Sequence, residues 1–195
     1  MTKTVAYLGI PGSYSYSAAV AYFSDQADQD NLIASDTFAK IFELVNSGRA
    51  QYGVLPISNT INGVLTKNQQ LFDIYQEQIV GEYELKVEHC LLVCPESKVE
   101  PSLKNIKKVY SHPYALEQCS KFFAEHPWIE AIEAGDTAHA ARFVSQQQDL
   151  SLAAIGGAQA AKLYDLKIAA KNLEDSPKNF TKFIIFTNPE TPDKV

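Results

Sequence analysis

Apolar residues along this chain follow two spacings that alternate from one segment to the next. Short apolar runs predict strands over residues 5–8, 52–57, 107–111, 131–133 and 153–155. Apolar residues three and four positions apart, such as Phe38, Ile41, Phe42 and Val45, predict helices. These predicted helices cover residues 15–23, 38–45, 69–75, 114–125, 137–147 and 158–164. Strands that alternate with helices predict an α/β fold with mostly parallel sheets.

Local signals refine this pattern. Ser35 or Asp36 is expected to cap the helix over residues 38–45, and Gly48 is expected to end it. Residues 79–93 alternate between apolar and polar over a stretch longer than an ordinary strand. We therefore expect a bent or crossing strand that links two lobes. Residues 189–195 contain two prolines and are expected to form a frayed tail.

Composition limits the possible partners and compartment. The 195 residues are 46% apolar and carry a net charge of −6, which fits a soluble protein and argues against a nucleic-acid partner. No apolar run approaches the roughly 20 residues of a membrane span, so no membrane partner is expected. The absence of a signal peptide and an odd number of cysteines favour the cytoplasm. A zinc pair at Cys90 and Cys94 is disfavoured, because His89 would point to the other side of a strand.

The segment from Asn179 to Phe183 is the most informative for chemistry. It places an amide, the Thr181 hydroxyl and the Lys182 cation within four residues, walled by two aromatic rings. The apolar run 184–186 follows directly and reads as a buried strand. Polar groups set among apolar ones at a strand end are a common way to hold a small anion. A plain strand start is the alternative reading of Thr181, since β-branched residues favour strands.

Other polar residues also follow predicted strands. Asn59 and Thr60 come after the strand at 52–57, where α/β folds bind ligands, although an ordinary turn would use the same residues. Ser111-His112-Pro113 and Asp136-Thr137-Ala138 each end a strand and open a helix. Free N–H groups at such helix starts favour an anion, while capping is the alternative purpose of His112, Asp136 or Thr137. Gly156-Gly157 would let the backbone approach a ligand closely.

These segments carry a family resemblance. The motifs, in chain order, are Gly12-Ser13-Tyr14-Ser15, Leu55-Pro56-Ile57-Ser58-Asn59-Thr60, Glu88-His89-Cys90-Leu91, Ser111-His112-Pro113, Asp136-Thr137-Ala138 and Asn179-Phe180-Thr181-Lys182-Phe183. The chain resembles the prephenate dehydratases from about Val5 to Phe186, including their Asn-x-Thr-Arg-Phe signature. The resemblance implies an α/β fold of two lobes, like a type II periplasmic binding protein, with an interlobe cleft. The expected first lobe is residues 1–83 plus 166–188, and the second is residues 84–165.

The resemblance implies prephenate as the substrate, with no cofactor and no metal. Thr181 would be the catalytic residue, donating a hydrogen bond or proton to the departing ring hydroxyl. The substrate-binding residues it implies are Asn59, Thr60, Gly63, Ser111, His112, Gln118, Thr137, Ala138, Phe180 and Lys182. It also implies a homodimer, and we expect no C-terminal regulatory domain in this chain. His89 is expected to be a satisfied structural histidine rather than a base.

The chain departs from the family pattern at two positions. Ser58 stands where the family has Glu, and Lys182 stands where it has Arg. Lysine keeps the charge but loses the planar, two-pronged grip on a carboxylate. An ion pair lost from both ends, a site retuned to a related cyclohexadienyl acid or to decarboxylation, and a site that binds without turnover remain open. Retention of Thr181, Asn59 and Gln118 favours dehydration.

Overall fold

A computed structural model describes residues 2–24, 29–66, 70, 78–95 and 103–190. The chain divides into two compact units. Unit 1 comprises Met1–Ile10, Tyr14–Lys86 and Phe180–Val195, and unit 2 comprises Pro11–Ser13 and Val87–Asn179. Both ends of the chain therefore belong to unit 1, and the middle forms most of unit 2.

Unit 1 is built on a mixed sheet. Its strands are β1 (Val5–Leu8), β2 (Leu32–Ser35), β3 (Tyr52–Asn59), β4 (Gly63–Val64), β5 (Gln78–Lys86) and β11 (Phe180–Thr187), and its helices include α1 (Tyr14–Phe23) and α2 (Phe38–Asn46). The strand order is β2-β1-β3-β11-β5, with β4 paired to β3. β1 runs parallel to β2 and β3, whereas β11 runs antiparallel to both β3 and β5.

Unit 2 is built on a second mixed sheet. Its strands are β6 (Cys90–Val93), β7 (Lys108–Ser111), β8 (Glu130–Glu133), β9 (Leu152–Gly156) and β10 (Lys167–Ala170). Its helices include α3 (Pro113–Glu117), α4 (Ser120–Glu125), α5 (Thr137–Gln147) and α6 (Ala158–Leu163). The strand order is β10-β6-β9-β7-β8, in which β7 runs parallel to β8 and β9 while β6 runs antiparallel to β9 and β10.

The sheets are therefore less parallel than the alternation of strands and helices predicts. Parallel pairing occurs where helices connect the strands, as α3 and α4 do between β7 and β8. The chain passes between the units after Lys86 and after Asn179. Antiparallel pairing is found in the strands nearest these points, β5, β6, β10 and β11. β10 also moves the boundary between the units: residues 166–179 belong to unit 2 rather than to the expected first lobe, because β10 pairs with β6.

Several element boundaries differ from the sequence prediction. The stretch 79–93 is two strands, one in each unit, rather than a single long one. The predicted helix over residues 114–125 divides into α3 and α4, with the buried Cys119 at the break. Thr37 caps α2 in place of Ser35 or Asp36, because its Oγ1 accepts a 3.2 Å hydrogen bond from the Lys40 N–H. The predicted helix over residues 69–75 lies outside the described residues except for residue 70. Residues 191–195 of the predicted tail also lie outside them.

The core of unit 1 packs both faces of β11. Side chains alternate along a strand, so Thr181, Phe183 and Ile185 share one face while Lys182, Ile184 and Phe186 share the other. Ile184 and Phe186 pack in one buried cluster with α2, where the rings of Phe42 and Phe186 stack with centroids 4.5 Å apart. Four consecutive buried residues, 183–186, thus fix the register of β11.

The Phe186 ring lies directly over Gly53, its partner across β3 and β11. A Cβ at Gly53 would lie 2.3 Å from the ring Cζ, so Gly53→Ala forces the ring out of its stack with Phe42. We expect this substitution to lower the free energy of unfolding by about 1–3 kcal/mol, measured by urea denaturation. Gly135→Ala is the matched control, because a Cβ there meets no atom within 4 Å. Equal effects of the two substitutions would contradict the packing described.

Candidate active site

The Thr181 hydroxyl and the Asn59 amide form a pair at the start of β11. The two residues are direct partners across the antiparallel strands β3 and β11. Asn59 Nδ2 donates hydrogen bonds to Thr181 Oγ1 at 3.0 Å and to the Phe180 carbonyl at 3.1 Å. Asn59 is therefore the last residue of its strand rather than the residue after it, and strand pairing brings it to Thr181. We call these two residues the Thr181–Asn59 pair.

The turn after β3 fixes the orientation of the Asn59 amide. Asn59 Oδ1 accepts hydrogen bonds from the N–H groups of Ile61 at 2.9 Å and Asn62 at 3.1 Å. Gly63 then takes a positive φ of 77°, which favours glycine, and pairs back with Asn59. The oxygen of the amide is held by the turn, so its nitrogen must face β11.

Thr60 and Phe180 close the end of the same strand pair. The Thr60 N–H donates to the Phe180 carbonyl at 2.9 Å, and the Phe180 N–H donates to Thr60 Oγ1 at 2.9 Å. The predicted site residue Thr60 thus closes the strand pair beside Thr181, and the predicted site residue Gly63 forms the turn that holds Asn59. Contact of these residues with a substrate stays a prediction.

The direction of the hydrogen bond decides what Thr181 can do. An amide NH₂ group donates and cannot accept, so Thr181 Oγ1 accepts from Asn59. Among the described residues, Asn59 is the hydrogen-bond partner of this oxygen. The hydroxyl proton is consequently available to a further acceptor, and the bond received from Asn59 polarises the hydroxyl and strengthens it as a donor. Thr181 is half-buried, so a ligand atom can reach it.

Lys182 lies on the opposite face of β11 from Thr181. Its Nζ forms a 2.7 Å ion pair with Glu82 on β5, and its strand partner across β3 is Ser58. The two positions that depart from the family pattern are therefore neighbours of each other and not of the Thr181 hydroxyl. Adjacency in the sequence predicted a shared site for Thr181 and Lys182, but the alternation of side chains along a strand separates them.

A second group of polar side chains lies in unit 2. Gln118 Oε1 accepts hydrogen bonds from Asn179 Nδ2 at 2.7 Å and from His89 Nε2 at 3.0 Å. Asn179 and His89 are 0% and 2% exposed, and Gln118 is half-buried. We call these three residues the polar cluster. The expectation that His89 is a satisfied structural residue is confirmed by its burial and its hydrogen bond.

The strand-to-helix turns of unit 2 are mostly occupied by packing and capping. The Ser111 hydroxyl donates to the Ile155 carbonyl at 2.7 Å and is fully buried, as is Ala138. His112 Nδ1 accepts from the Tyr114 N–H at 3.2 Å and caps α3. Asp136 Oδ1 likewise caps α5 by accepting from the His139 N–H at 2.6 Å. Ligand binding by these turns, including Thr137, stays a prediction, and it would rest on their backbone N–H groups.

Two acidic residues that sequence reasoning did not single out hold this region together. Glu174 Oε2 accepts from the His89 N–H at 2.8 Å. The Asp175 carboxylate accepts from the N–H groups of Ser120 and Lys121 and so caps α4. Partial burial raises the pKa of Asp175, but the hydrogen bonds from Ser120 and Lys121 outweigh it and hold the pKa below its ordinary value. No local spacing signals this cap, because 54 residues separate Asp175 from Lys121.

A groove elsewhere in unit 2 contains none of the predicted site residues. It has a volume of about 360 Å³ and is open to solvent. Its lining consists of Tyr110, Ala134, His139, Ala140, Arg142, Phe143 and Gln146. The candidate chemistry is therefore marked by hydrogen-bond geometry rather than by this groove. Within the described part of the chain, every helix is too short or too polar to cross a bilayer.

Comparisons with known proteins agree with the motif order. The family model described as prephenate dehydratase matches residues 5–191. A bifunctional chorismate mutase/prephenate dehydratase of Pseudomonas aeruginosa is 35% identical over 96% of this chain and 49% of its own length. Arogenate dehydratase 1 of Petunia hybrida is 37% identical over 94% of this chain and 42% of its own length. The chain thus spans about half the length of the curated relatives it matches.

Solved structures share the fold. A prephenate dehydratase from Arthrobacter aurescens, solved in complex with L-Phe, has a TM-score of 0.84 at 24% identity and covers 96% of this chain and 61% of its own. GqqA, described as a novel type of quorum quenching acylase, has a TM-score of 0.84 at 30% identity and covers 97% of this chain and 65% of its own. The α/β fold of two units, like that of a periplasmic binding protein, is therefore shared with solved prephenate dehydratases.

The buried His89 and the half-buried His112 predict a pH dependence of stability. Burial lowers the pKa of both His89 and His112 below the ordinary 6.5, although the Gln118 hydrogen bond and Glu174 oppose this at His89, and nearby carboxylates oppose it at His112. The unfolded chain then binds more protons than the folded chain below pH 6.5, so the free energy of unfolding decreases as the pH falls from 7 to 5. Urea denaturation at pH 7, 6 and 5 measures this change. His89→Gln, which cannot titrate, should flatten it, and an unchanged slope in that variant would contradict the assignment.

Proposed function

The chain belongs to the prephenate dehydratase family, and from this membership we propose that it converts prephenate to phenylpyruvate in phenylalanine biosynthesis. The observation that carries the proposal is the Thr181–Asn59 pair, in which a fixed amide donates to a half-buried hydroxyl whose proton is available to a ligand. A reaction that must assist the departure of a hydroxyl group needs such a donor.

The proposed reaction consumes one proton and releases two small molecules. The bond from the ring to its carboxylate breaks, carbon dioxide leaves, and the electron pair forms a ring double bond. The carbon–oxygen bond of the ring hydroxyl breaks at the other end of the ring, and that oxygen takes up a proton and leaves as water. The ring becomes aromatic, which supplies the driving force. The protein must therefore stabilise developing charge on the departing oxygen and hold the acidic substrate in place.

Thr181 is proposed to donate a hydrogen bond to the departing oxygen. A threonine hydroxyl is a weak acid, so its contribution is positioning and electrostatic stabilisation rather than complete transfer of its proton. Asn59 supports this role in two ways. It holds the Thr181 oxygen by a 3.0 Å hydrogen bond, and it occupies the acceptor side of that oxygen so that the proton points elsewhere.

The same geometry disfavours acyl transfer, the activity named for GqqA. A threonine nucleophile needs a neighbouring base that accepts its proton. The partner of Thr181 among the described residues is the Asn59 NH₂ group, which is a donor. Thr181 is thus arranged to give a hydrogen bond and not to lose its proton to a base.

Arogenate is the second substrate to test. It carries an amino group where prephenate carries a keto group, and the dehydration chemistry at the ring is the same. The identity of 37% to the Petunia hybrida arogenate dehydratase is similar to the 35% shared with the Pseudomonas aeruginosa protein. Parallel assays with both compounds, reading phenylpyruvate and phenylalanine, rank the two by kcat/KM.

The proposal extends to a homodimer in the cytoplasm. The family resemblance favours the dimer, and sedimentation velocity of the purified chain tests it. Cys90, Cys94 and Cys119 are all buried as free thiols, which suits a reducing compartment. The two alternatives from the sequence are a site that binds without turnover and a decarboxylase. The assay distinguishes both from a dehydratase, since neither forms phenylpyruvate from prephenate.

Removal of the Thr181 hydroxyl should abolish most of the activity. Thr181→Val keeps the shape and the strand propensity of the side chain but removes the donor, and we expect kcat to fall by about 100-fold or more. Phenylpyruvate absorbance measures the rate. Thr181→Ser retains the hydroxyl with a less restricted rotamer and should stay within about tenfold of the original kcat. Equal activity of the valine variant and the original chain would refute the role of Thr181.

Loss of the Lys182 charge should leave the chemistry intact. Lys182 lies on the other face of β11 in a partly exposed ion pair with Glu82, so Lys182→Gln removes a surface interaction worth less than about 1 kcal/mol. We expect the KM for prephenate to change by less than about twofold, because the substitution removes no contact with the substrate. A large rise in KM would return Lys182 to the role of carboxylate clamp that the sequence implied.

A further inference from the structure

The proposed mechanism gives no task to the polar cluster, in which His89 is the buried histidine. His89 lies between β5 and β6, and its ring is 2% exposed. Gln118 lies at the break between α3 and α4, and Asn179 directly precedes β11. Three segments far apart in the sequence thus converge on one amide oxygen, Gln118 Oε1.

The hydrogen bonds of the polar cluster fix the direction of each group. Gln118 Oε1 only accepts, so His89 carries its proton on Nε2 and Asn179 donates through Nδ2. Rotation of the Gln118 amide by half a turn would set its NH₂ group against the Asn179 NH₂ group, and it would keep the bond to His89 only if the histidine proton moved to Nδ1. The amide orientation of Gln118 is consequently set by His89 and Asn179 together.

Backbone contacts join the polar cluster to the segment that leads into β11. The His89 carbonyl accepts from the Leu173 N–H at 3.0 Å, and Glu174 Oε2 accepts from the His89 N–H at 2.8 Å. The Gln118 carbonyl accepts from the Asp175 N–H at 2.7 Å. Residues 173–175 are therefore held at three points by His89 and Gln118. Asn179, four residues further on, is held through its side chain by Gln118.

Asn179 in turn fixes the chain two residues before Thr181. Its carbonyl accepts from the Val87 N–H at 2.8 Å, and the next residue, Phe180, pairs with Lys86 on β5. We propose that His89 is a positioning residue that, through Gln118 and Asn179, holds the start of β11 where the Thr181 hydroxyl must act. The kinetic part of this inference rests on the proposed dehydratase function, and the structural part does not.

Kinetics of matched variants test the positioning role. His89→Leu removes the ring donor, and a displaced Thr181 should lower kcat by about 10- to 100-fold with less than about a twofold change in KM. His89→Gln keeps a donor near the position of Nε2 and should restore most of kcat. Ser145→Ala is the control, because it removes a 2.7 Å hydrogen bond to the Tyr164 carbonyl in the same unit but outside the polar cluster. Equal kcat losses in the leucine and glutamine variants, or a loss in Tm without a loss in kcat, would overturn the proposal.

A second pair of variants guards against misfolding of His89→Leu. Asn179→Ala breaks the polar cluster at its other end and should reproduce the loss in kcat. In the double variant the two losses should not add, because both substitutions act through the same amide. Additive losses would show that His89 acts by another route.

Amide hydrogen exchange separates failure of this inference from failure of the proposed function. In His89→Leu and in Asn179→Ala, the Val87 and Phe180 amides should exchange at least about tenfold faster than in the original chain, while those of β7 stay unchanged. His89→Gln should keep the original rates. If the original chain forms no phenylpyruvate, the proposed function fails and the exchange rates still decide whether His89 orders the start of β11. Unchanged exchange at Val87 and Phe180 would overturn the inference whatever the activity.

Discussion

The antiparallel pairing of β11 with β3 is the constraint on which the candidate site depends. It brings together Thr181 and Asn59, which are 122 residues apart in the chain. The register is fixed deeper in the strand, where residues 183–186 are buried on both faces of the sheet. A slip of one residue would take the Phe186 ring away from Gly53 and from its stack with Phe42, and it would move Thr181 to the other face. The chemistry at the strand end is thus positioned by the hydrophobic packing of the strand interior.

The buried polar groups of unit 2 serve orientation more than reaction. Each of the buried residues His89, Asn179 and Ser111 donates a hydrogen bond to a defined oxygen, so these donors are satisfied despite their burial. Such bonds add little to net stability, but leaving one partner unsatisfied is costly. A cluster of this kind specifies one arrangement of its segments. In this chain it does so directly before the strand that carries Thr181.

The two departures from the family pattern take a different meaning in the structure. Ser58 and Lys182 are strand partners on the face away from the Thr181 hydroxyl, and Lys182 makes its ion pair with Glu82. The change at both positions is therefore a change in surface electrostatics across neighbouring strands. It leaves intact the Thr181–Asn59 pair, on which the proposed dehydration depends.

The sequence alone predicted most of the helices, several of the strands and which polar residues follow those strands, but it did not predict β2, β4 or β10. Apolar spacing is a local property, and it located α1, α2, α5 and the buried run of β11. The family resemblance named Thr181, Asn59 and Gln118 as candidate site residues. Only the tertiary structure decided which of the motif residues share a face, which are caps, and that Glu174 and Asp175 fasten the polar cluster. Those properties depend on strand register and on contacts between distant segments, and neither leaves a periodic trace in the chain.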